Sequence, residues 1–203
     1  MIVADLNQAE DWTGDFIPVN VADESSVKAM CEWIEQRYHR LDALVQTAGI
    51  LQGAYVPLSE LDVETFRRVL DVNVTGSFLC AKHCEPLLKK SARGVVILFS
   101  SGAATGGSSS LAYGSSKGGV NGLSITLANR LAVENIRLNV VSPGNIDTDM
   151  KRSVIAADVK RRGVDMQDAV AESNLGMPEG MAKVLAWLVS DDADYVRGII
   201  NTR

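Results

Sequence analysis

Tyr113 and Lys117 stand four residues apart in "SSSLAYGSSKGGVNG" (108–122), where almost every other side chain is small or hydroxylated. On a helix, positions i and i+4 share a face, so the phenol and the ammonium project together. An ammonium beside a phenol favours phenolate and lowers the tyrosine pKa from about 10. A phenol tuned in this way can serve as a general acid or base near neutral pH. The spacing alone also fits a surface pair on a helix start softened by Gly and Ser, so the surroundings must decide.

Those surroundings hold more groups of the same kind. The apolar run "GVVILFSS" ends in Ser100 and Ser101, about a dozen residues before Tyr113, with the glycine-rich "SGAATGGSSS" between. In "SPGNIDTDM", Pro143 and Gly144 turn the chain and Thr148 offers another hydroxyl. In "QTAG", the small Ala48 and Gly49 let a ligand approach the backbone. In open α/β sheets, ligands bind outside the carboxyl ends of parallel strands, which is where these residues fall.

The elements that must position them follow from periodicity. Apolar runs of strand length, "MIVAD", "FIPVNV", "ALVQTAG", "VVILFSS", "IRLNVVSPG" and "RGIIN", show little polar alternation. That pattern marks parallel strands buried on both faces. Helical periods lie between them, at 24 to about 39, 63–90 with an irregularity, 113 to about 134 and 178 to about 190. Strand–helix alternation of this kind predicts an α/β fold with a doubly wound parallel sheet, Rossmann-like. No repeat or linker is evident, so 1–203 is expected to form one domain. The charged segment 150–176 reads as one or two amphipathic helices after a strand end, the position of a substrate lid.

Composition narrows the partners. A net charge of -5 is at odds with a nucleic-acid-binding stripe, which needs clustered Lys and Arg. No apolar run approaches the roughly 20 residues that span a bilayer, and the first residues have no signal-peptide pattern. Three cysteines, Cys31, Cys80 and Cys84, lack a disulfide-framework spacing and suit a reducing cytoplasm. Cys80, His83 and Cys84 lie close together, but with no second ligand pair they read as helix packing, so no metal is expected. A serine hydrolase is excluded on two counts. There is no Gly-x-Ser-x-Gly turn, and His39 and His83 fall within helical patterns.

Taken together, these motifs resemble the short-chain dehydrogenase/reductase superfamily, classical type, over nearly the whole chain. "YGSSK" is similar to the family's Tyr-x-x-x-Lys motif, and "SPGNIDT" to its proline-glycine loop. "QTAG" matches Asn-Asn-Ala-Gly in its last two positions, and "DVNVTG" carries the tetrad asparagine as Asn73. The resemblance implies that Tyr113 exchanges a proton with substrate oxygen and that Lys117 holds the nicotinamide ribose and depresses the tyrosine pKa. Ser101 would hydrogen-bond the substrate oxygen, and Asn73 would support a water leading to Lys117. The family's usual spacing of serine to tyrosine selects Ser100 instead. The strand-end "SS" doublet selects Ser101, which is preferred because strand register fixes its direction. Thr47, Ala48, Gly49, Pro143, Gly144, Ile146 and Thr148 would line the cofactor. Asp5, at the end of "MIVAD", would accept hydrogen bonds from the adenosine ribose, and Asn20 and Val21 would lie beside adenine. A carboxylate at Asp5 repels a 2′-phosphate and no arginine follows it in "LNQAE", so NAD is expected over NADP. The resemblance also implies a homodimer or homotetramer through the helices at 63–90 and 113–134, with Gly118, Gly119 and Gly122 permitting close packing.

The resemblance begins at the family's second strand. The family's opening strand and Thr-Gly-x-x-x-Gly-x-Gly turn have no counterpart, so the fold is expected to be N-terminally truncated, with unpaired strand edges inside the sheet. That turn binds the pyrophosphate. Two readings follow: an NAD(P)-dependent enzyme interconverting an alcohol and a ketone, or a catalytically impaired protein that serves as an interaction partner. The intact tetrad favours the enzyme.

Overall fold

The computed structural model describes residues 1–202. Among them the apolar runs become six strands: β1 (Ile2–Asp5), β2 (Asp15–Pro18), β3 (Ala43–Gln46), β4 (Gly94–Phe99), β5 (Ile136–Ser142) and β6 (Gly198–Asn201). Every strand pairing is parallel. The strands form two sheets, β1-β2 and β3-β4-β5-β6. β1 and β3 do not pair with each other, so each leaves one edge open among the described residues, as the sequence leads one to expect. Val45 on β3 is accordingly 38% exposed, unusual for an apolar residue of a parallel strand.

Side chains alternate across the sheet and build a core on each face. Val96 and Leu98 of β4 join Leu138 and Val140 of β5 in one cluster, which also takes in Ile17 and Val19 from the β1-β2 side. Val95, Ile97 and Val141 point the other way and pack with Leu188. Helices cover both faces, which is the doubly wound arrangement.

Helix α1 (Glu24–Tyr38) starts where the Asp23 carboxylate accepts the Ser25 N–H, and stops at His39 in the left-handed region, φ 63°. Its buried stripe is Val27, Met30, Cys31 and Ile34. The segment 63–90 resolves into α2 (Val63–Leu70), a π-helical turn (Asp71–Thr75) and α3 (Gly76–Leu88). Cys31 Sγ meets Cys84 Sγ of α3 at 3.6 Å, and Glu24 receives both Lys82 Nζ (2.8 Å) and His83 Nε2 (2.9 Å). Cys84 and His83 thus face different partners. Among the described residues no group of three metal-ligating side chains gathers.

Helix α4 (Leu111–Ala132) begins at Ser110, whose hydroxyl accepts the Tyr113 N–H at 3.1 Å. The 150–176 segment forms two helices, α5 (Asp149–Arg162) and α6 (Met166–Glu172). Its base is closed by Asp147 N–H to Gly176 carbonyl and Gly176 N–H to Asn145 carbonyl, both 2.8 Å. Helix α7 (Pro178–Val189) carries proline in its first turn, where the missing N–H is harmless. It packs on β4 and β5 through Leu188. No helix among the described residues is long and apolar enough to cross a membrane.

The start of α3 is a tight contact. A Cβ on Gly76 would lie 2.8 Å from Val21 Cγ2 and 3.2 Å from the Val21 carbonyl oxygen. Gly76→Ala is therefore expected to destabilise the fold by about 1–3 kcal/mol, the range for overpacking. Urea unfolding would show this as a lower midpoint at constant slope; an unchanged midpoint would mean that Val21 yields freely.

Candidate active site

The carboxyl ends of β3, β4 and β5 open onto a cavity of about 730 Å³. That volume lies within the roughly 300–1,000 Å³ usual for small-molecule sites. β3 contributes Thr47 and Gly49, β4 contributes Ser100 and Ser101, and β5 contributes Pro143, Gly144, Ile146 and Thr148. Tyr113 and Lys117 enter from α4, Met150, Lys151 and Val154 from α5, and Met181 and Leu185 from α7.

Lys117 is 5% exposed, and its Nζ donates to the Phe99 carbonyl at 2.8 Å. The same ammonium lies 5.5 Å from the centre of the Tyr113 ring. Burial pulls the Lys117 amine down to about 8. Burial acts on Tyr113 in the opposite sense, pushing the phenol above its ordinary value, while a hydrogen bond with Ser101 pulls it back in part. The expected depression of the tyrosine pKa by Lys117 is thus not what the structure shows. Desolvation of the phenolate outweighs the favourable contacts.

The two serines are sorted by direction. Ser100 is buried and donates to the Lys117 carbonyl at 3.0 Å, joining β4 to α4. Ser101 turns the other way: its Oγ accepts the Ala103 N–H at 3.2 Å, leaving its own proton for the Tyr113 oxygen.

Asn73 sits in the π turn at 1% exposure. Its Oδ1 accepts the Ile50 N–H at 2.8 Å, and its Nδ2 donates to the Ile50 carbonyl at 2.9 Å and to Ser116 Oγ at 2.8 Å. Ser116 in turn donates to the Tyr113 carbonyl at 2.8 Å. A Cβ on Gly49 would lie 3.2 Å from Asn73 Oδ1 and 3.5 Å from Lys117 Nζ, so glycine keeps the space between them open.

The remaining candidates fall outside the cavity wall. Ala48 packs against the core, its N–H donating to Gln46 Oε1 at 3.1 Å. Asp5 is exposed at the end of β1, with Oδ1 accepting the Asn7 N–H at 3.1 Å. Asn20 is exposed and its Oδ1 accepts the Ala22 N–H at 3.1 Å, whereas Val21 is buried against Gly76. Sequence reasoning missed Ser116, Phe99, Gln46 and Lys151. Ser116 lies within "YGSSK" and could have been found from its hydroxyl one position before the lysine. Phe99 acts through its carbonyl and Gln46 through a buried amide whose Nε2 has no partner among the described residues, neither of which has a composition signal. His39 and His83 do not line the cavity.

Strand ends, a Tyr–Lys–Ser cluster and a buried asparagine behind it thus gather around one cavity of a Rossmann-like fold. Comparison with known proteins gives the family. A family model described as enoyl-(acyl carrier protein) reductase matches residues 3–201. The chain is 35% identical over 186 residues to cis-4-hydroxycyclohexanecarboxylate dehydrogenase of Sinomonas cyclohexanicum, covering 91% of this chain and 73% of that relative. It is 33% identical over 196 residues to a 3-oxoacyl-(acyl-carrier-protein) reductase of Thermotoga maritima, covering 95% and 77%. A short chain dehydrogenase family protein from Francisella tularensis superposes with a TM-score of 0.88 at 25% identity, over 98% of this chain and 84% of that one. The chain belongs to the short-chain dehydrogenase/reductase family, whose members use nicotinamide cofactors. The residues present fit the nicotinamide end of such a cofactor, because Gly49 leaves open a cradle that a Cβ would fill and hydroxyls and backbone groups surround it.

Lys117 yields a stability prediction with a definite sign. Its amine titrates at about 8 when folded, against an ordinary value of 10.5, so below about 8 the fold must bury an ammonium. Lys117→Met should therefore stabilise the fold at pH 7, by about 1–2 kcal/mol net of the lost hydrogen bond to Phe99. The advantage should shrink as pH rises from about 8 to 10.5, where wild type buries a neutral amine. Paired thermal melts across that range test this; a constant offset would contradict it.

Proposed function

We propose that the chain, a single domain over 1–203, interconverts an alcohol and a ketone on a small-molecule substrate, with Tyr113 as general acid/base. The observation that carries this reading is the gathering of Ser101, Tyr113 and Lys117 in one cavity at the carboxyl ends of the parallel strands. In reduction, Tyr113 is held protonated by its burial and gives its proton to the substrate oxygen. Ser101 hydrogen-bonds the same oxygen and fixes its distance from the phenol. In oxidation, Tyr113 must first lose its proton, so kcat/KM for alcohol oxidation rises on the alkaline side. Lys117 remains charged below about 8 and there favours the phenolate that reduction leaves behind. Asn73 holds the Ile50 loop and α4 in register and supports a water leading to Lys117. A bound nicotinamide supplies or accepts the hydride.

Thr47, Gly49, Pro143, Gly144, Ile146, Thr148 and Lys117 hold the nicotinamide end, with Ala48 behind them. Asp5 takes the adenosine ribose, and Asn20 and Val21 the adenine. NAD is preferred to NADP because the Asp5 carboxylate repels a 2′-phosphate. The segment 150–176 is the substrate lid. The chain works in the cytoplasm as a homodimer or homotetramer through α2, α3 and α4, where a Cβ on Gly118 or Gly122 would meet nothing within 4 Å and Ile125 is exposed, whereas Gly119 packs on Val74 within the chain. The relatives fit this class: one is named for a ring alcohol and another for a 3-oxo group. Such relatives favour the enzyme over an impaired interaction protein.

Tyr113→Phe should lower turnover by about 100-fold or more, as expected for removing a general acid/base. Cofactor affinity should change little; retained turnover would remove Tyr113 from this role. Calorimetry with NADH and NADPH provides a separate check. NADH should bind more tightly, and Asp5→Ala should narrow the gap; tighter NADPH binding in wild type would overturn the assignment of Asp5.

A further inference from the structure

The charge inside the cavity has the opposite sign to that of the chain. The protein carries a net charge of -5, yet no Asp or Glu lines the cavity, and its charged members are Lys117 and Lys151. Lys117 is already committed, with its ammonium on the Phe99 carbonyl. Lys151 is not committed. It lies on the wall between the main cavity and a smaller pocket of about 190 Å³ lined by Tyr55, Asp158, Arg162 and Glu172.

The carboxylates near Lys151 are engaged elsewhere. Asp158 pairs with Arg161 at 2.7 Å and Arg162 at 3.3 Å, and Glu172 with Arg162 at 2.9 Å. Asp147, at the entry to α5, pairs with Arg152 at 2.6 Å. Among the described residues Lys151 forms no ion pair. Asp158 attracts the Lys151 ammonium only from a distance and is itself paired with Arg161 and Arg162, so burial outweighs it, and a partly buried ammonium without a direct carboxylate partner is unfavourable. Its position in the first turn of α5 adds to this, because the helix dipole there disfavours a cation. Burial already shifts its amine below the ordinary value. A ligand anion entering the cavity would supply the missing partner. Met150, Val154, Met181 and Leu185 line the same cavity and suit an apolar body between the two polar ends.

We propose that Lys151 anchors an anionic group of the substrate, so that the chain acts on hydroxy or keto compounds that carry a carboxylate or phosphate beyond an apolar body. This rests on the reading of the cavity as an alcohol/ketone site. The ammonium positions the substrate by its far end while Ser101 and Tyr113 hold the reacting oxygen.

The test uses the full chain with NAD and three matched probes: 4-hydroxycyclohexanecarboxylate, its neutral carboxamide, and the phosphate monoester of 4-(hydroxymethyl)cyclohexanol. The better anion should exceed the carboxamide in kcat/KM by about 10- to 100-fold, the range for a hydrogen bond to a charged group. Lys151→Met should collapse that ratio towards one, and Lys151→Arg should keep most of it. Matching thermal midpoints would show that the variants fold. A ratio near one in wild type, or a ratio unmoved in Lys151→Met, overturns the proposal. So does a loss of cofactor affinity in Lys151→Met at unchanged ratio, which would assign the ammonium to the dinucleotide phosphates. If no probe is oxidised, the alcohol/ketone reading fails for this series, and calorimetric binding decides the anion site by itself. A preference for anion over carboxamide that Lys151→Met abolishes upholds it, and equal binding overturns it.

Discussion

The side-chain amide of Asn73 is the joint on which the site is built. One amide satisfies both backbone groups of Ile50 and the hydroxyl of Ser116, so three segments far apart in sequence share one hydrogen-bonded node. The node exists because the chain makes a π turn at Asp71–Thr75, which rotates Asn73 inward between two ordinary helices. Removing the amide would leave the half-buried Ile50 N–H and carbonyl without their partner, at a penalty towards the lower end of about 1–3 kcal/mol for each group. It would also free the turn of α4 that carries Tyr113. The wide π turn is thus where backbone irregularity is exchanged for a fixed site.

Around this joint, burial sets the chemistry more strongly than charge pairing does. Lys117 and Tyr113 are close enough to interact, yet each is shifted chiefly by loss of water, one down and one up. Both shifts favour the neutral forms. Below about 8 Lys117 is nevertheless still an ammonium, so the resting site holds one buried positive charge beside a neutral phenol. Ser101 is the local exception, since its hydroxyl is aimed to favour the phenolate.

Much of this is legible in the residues. The six strands fall where apolar runs predict them, but only β4 and β5 are buried on both faces as that pattern implies, while β1, β2, β3 and β6 are partly exposed. The run "FIPVNV" extends beyond β2, which ends at Pro18. The Val19 N–H still bonds to Asp5, but Asn20 then turns the chain by accepting the Ala22 N–H. The length of 63–90 predicts an irregularity but not its π geometry, because one extra residue in a turn has no composition signature. Register favours Ser101 over Ser100, and the two hydroxyls do face different partners, Ser100 donating to the Lys117 carbonyl and Ser101 accepting the Ala103 N–H. Pair spacing misjudges the tyrosine pKa, because it reports the neighbouring charge and is silent about desolvation. Lys151 cannot be singled out among the charges of "DMKRSV", since an amphipathic pattern does not tell which lysine a fold will leave unpaired.

The pinch at the base of α5 and α6 has a wider meaning. The chain enters the excursion at Asn145 and Asp147 and leaves at Gly176, and these points are bonded to each other. A segment whose two ends are clamped together meets the rest of the fold through that clamp and a small number of side-chain contacts, such as Arg161 over the Tyr55 ring at 4.8 Å. Closure entropy grows slowly with length, about 0.6 kcal/mol per doubling, so such a segment can be lengthened, shortened or exchanged at small cost. The helices above the clamp therefore behave as an interchangeable cassette on a fixed chassis. New ligand preferences can be grafted there while the strand ends and the proton-handling groups keep their places.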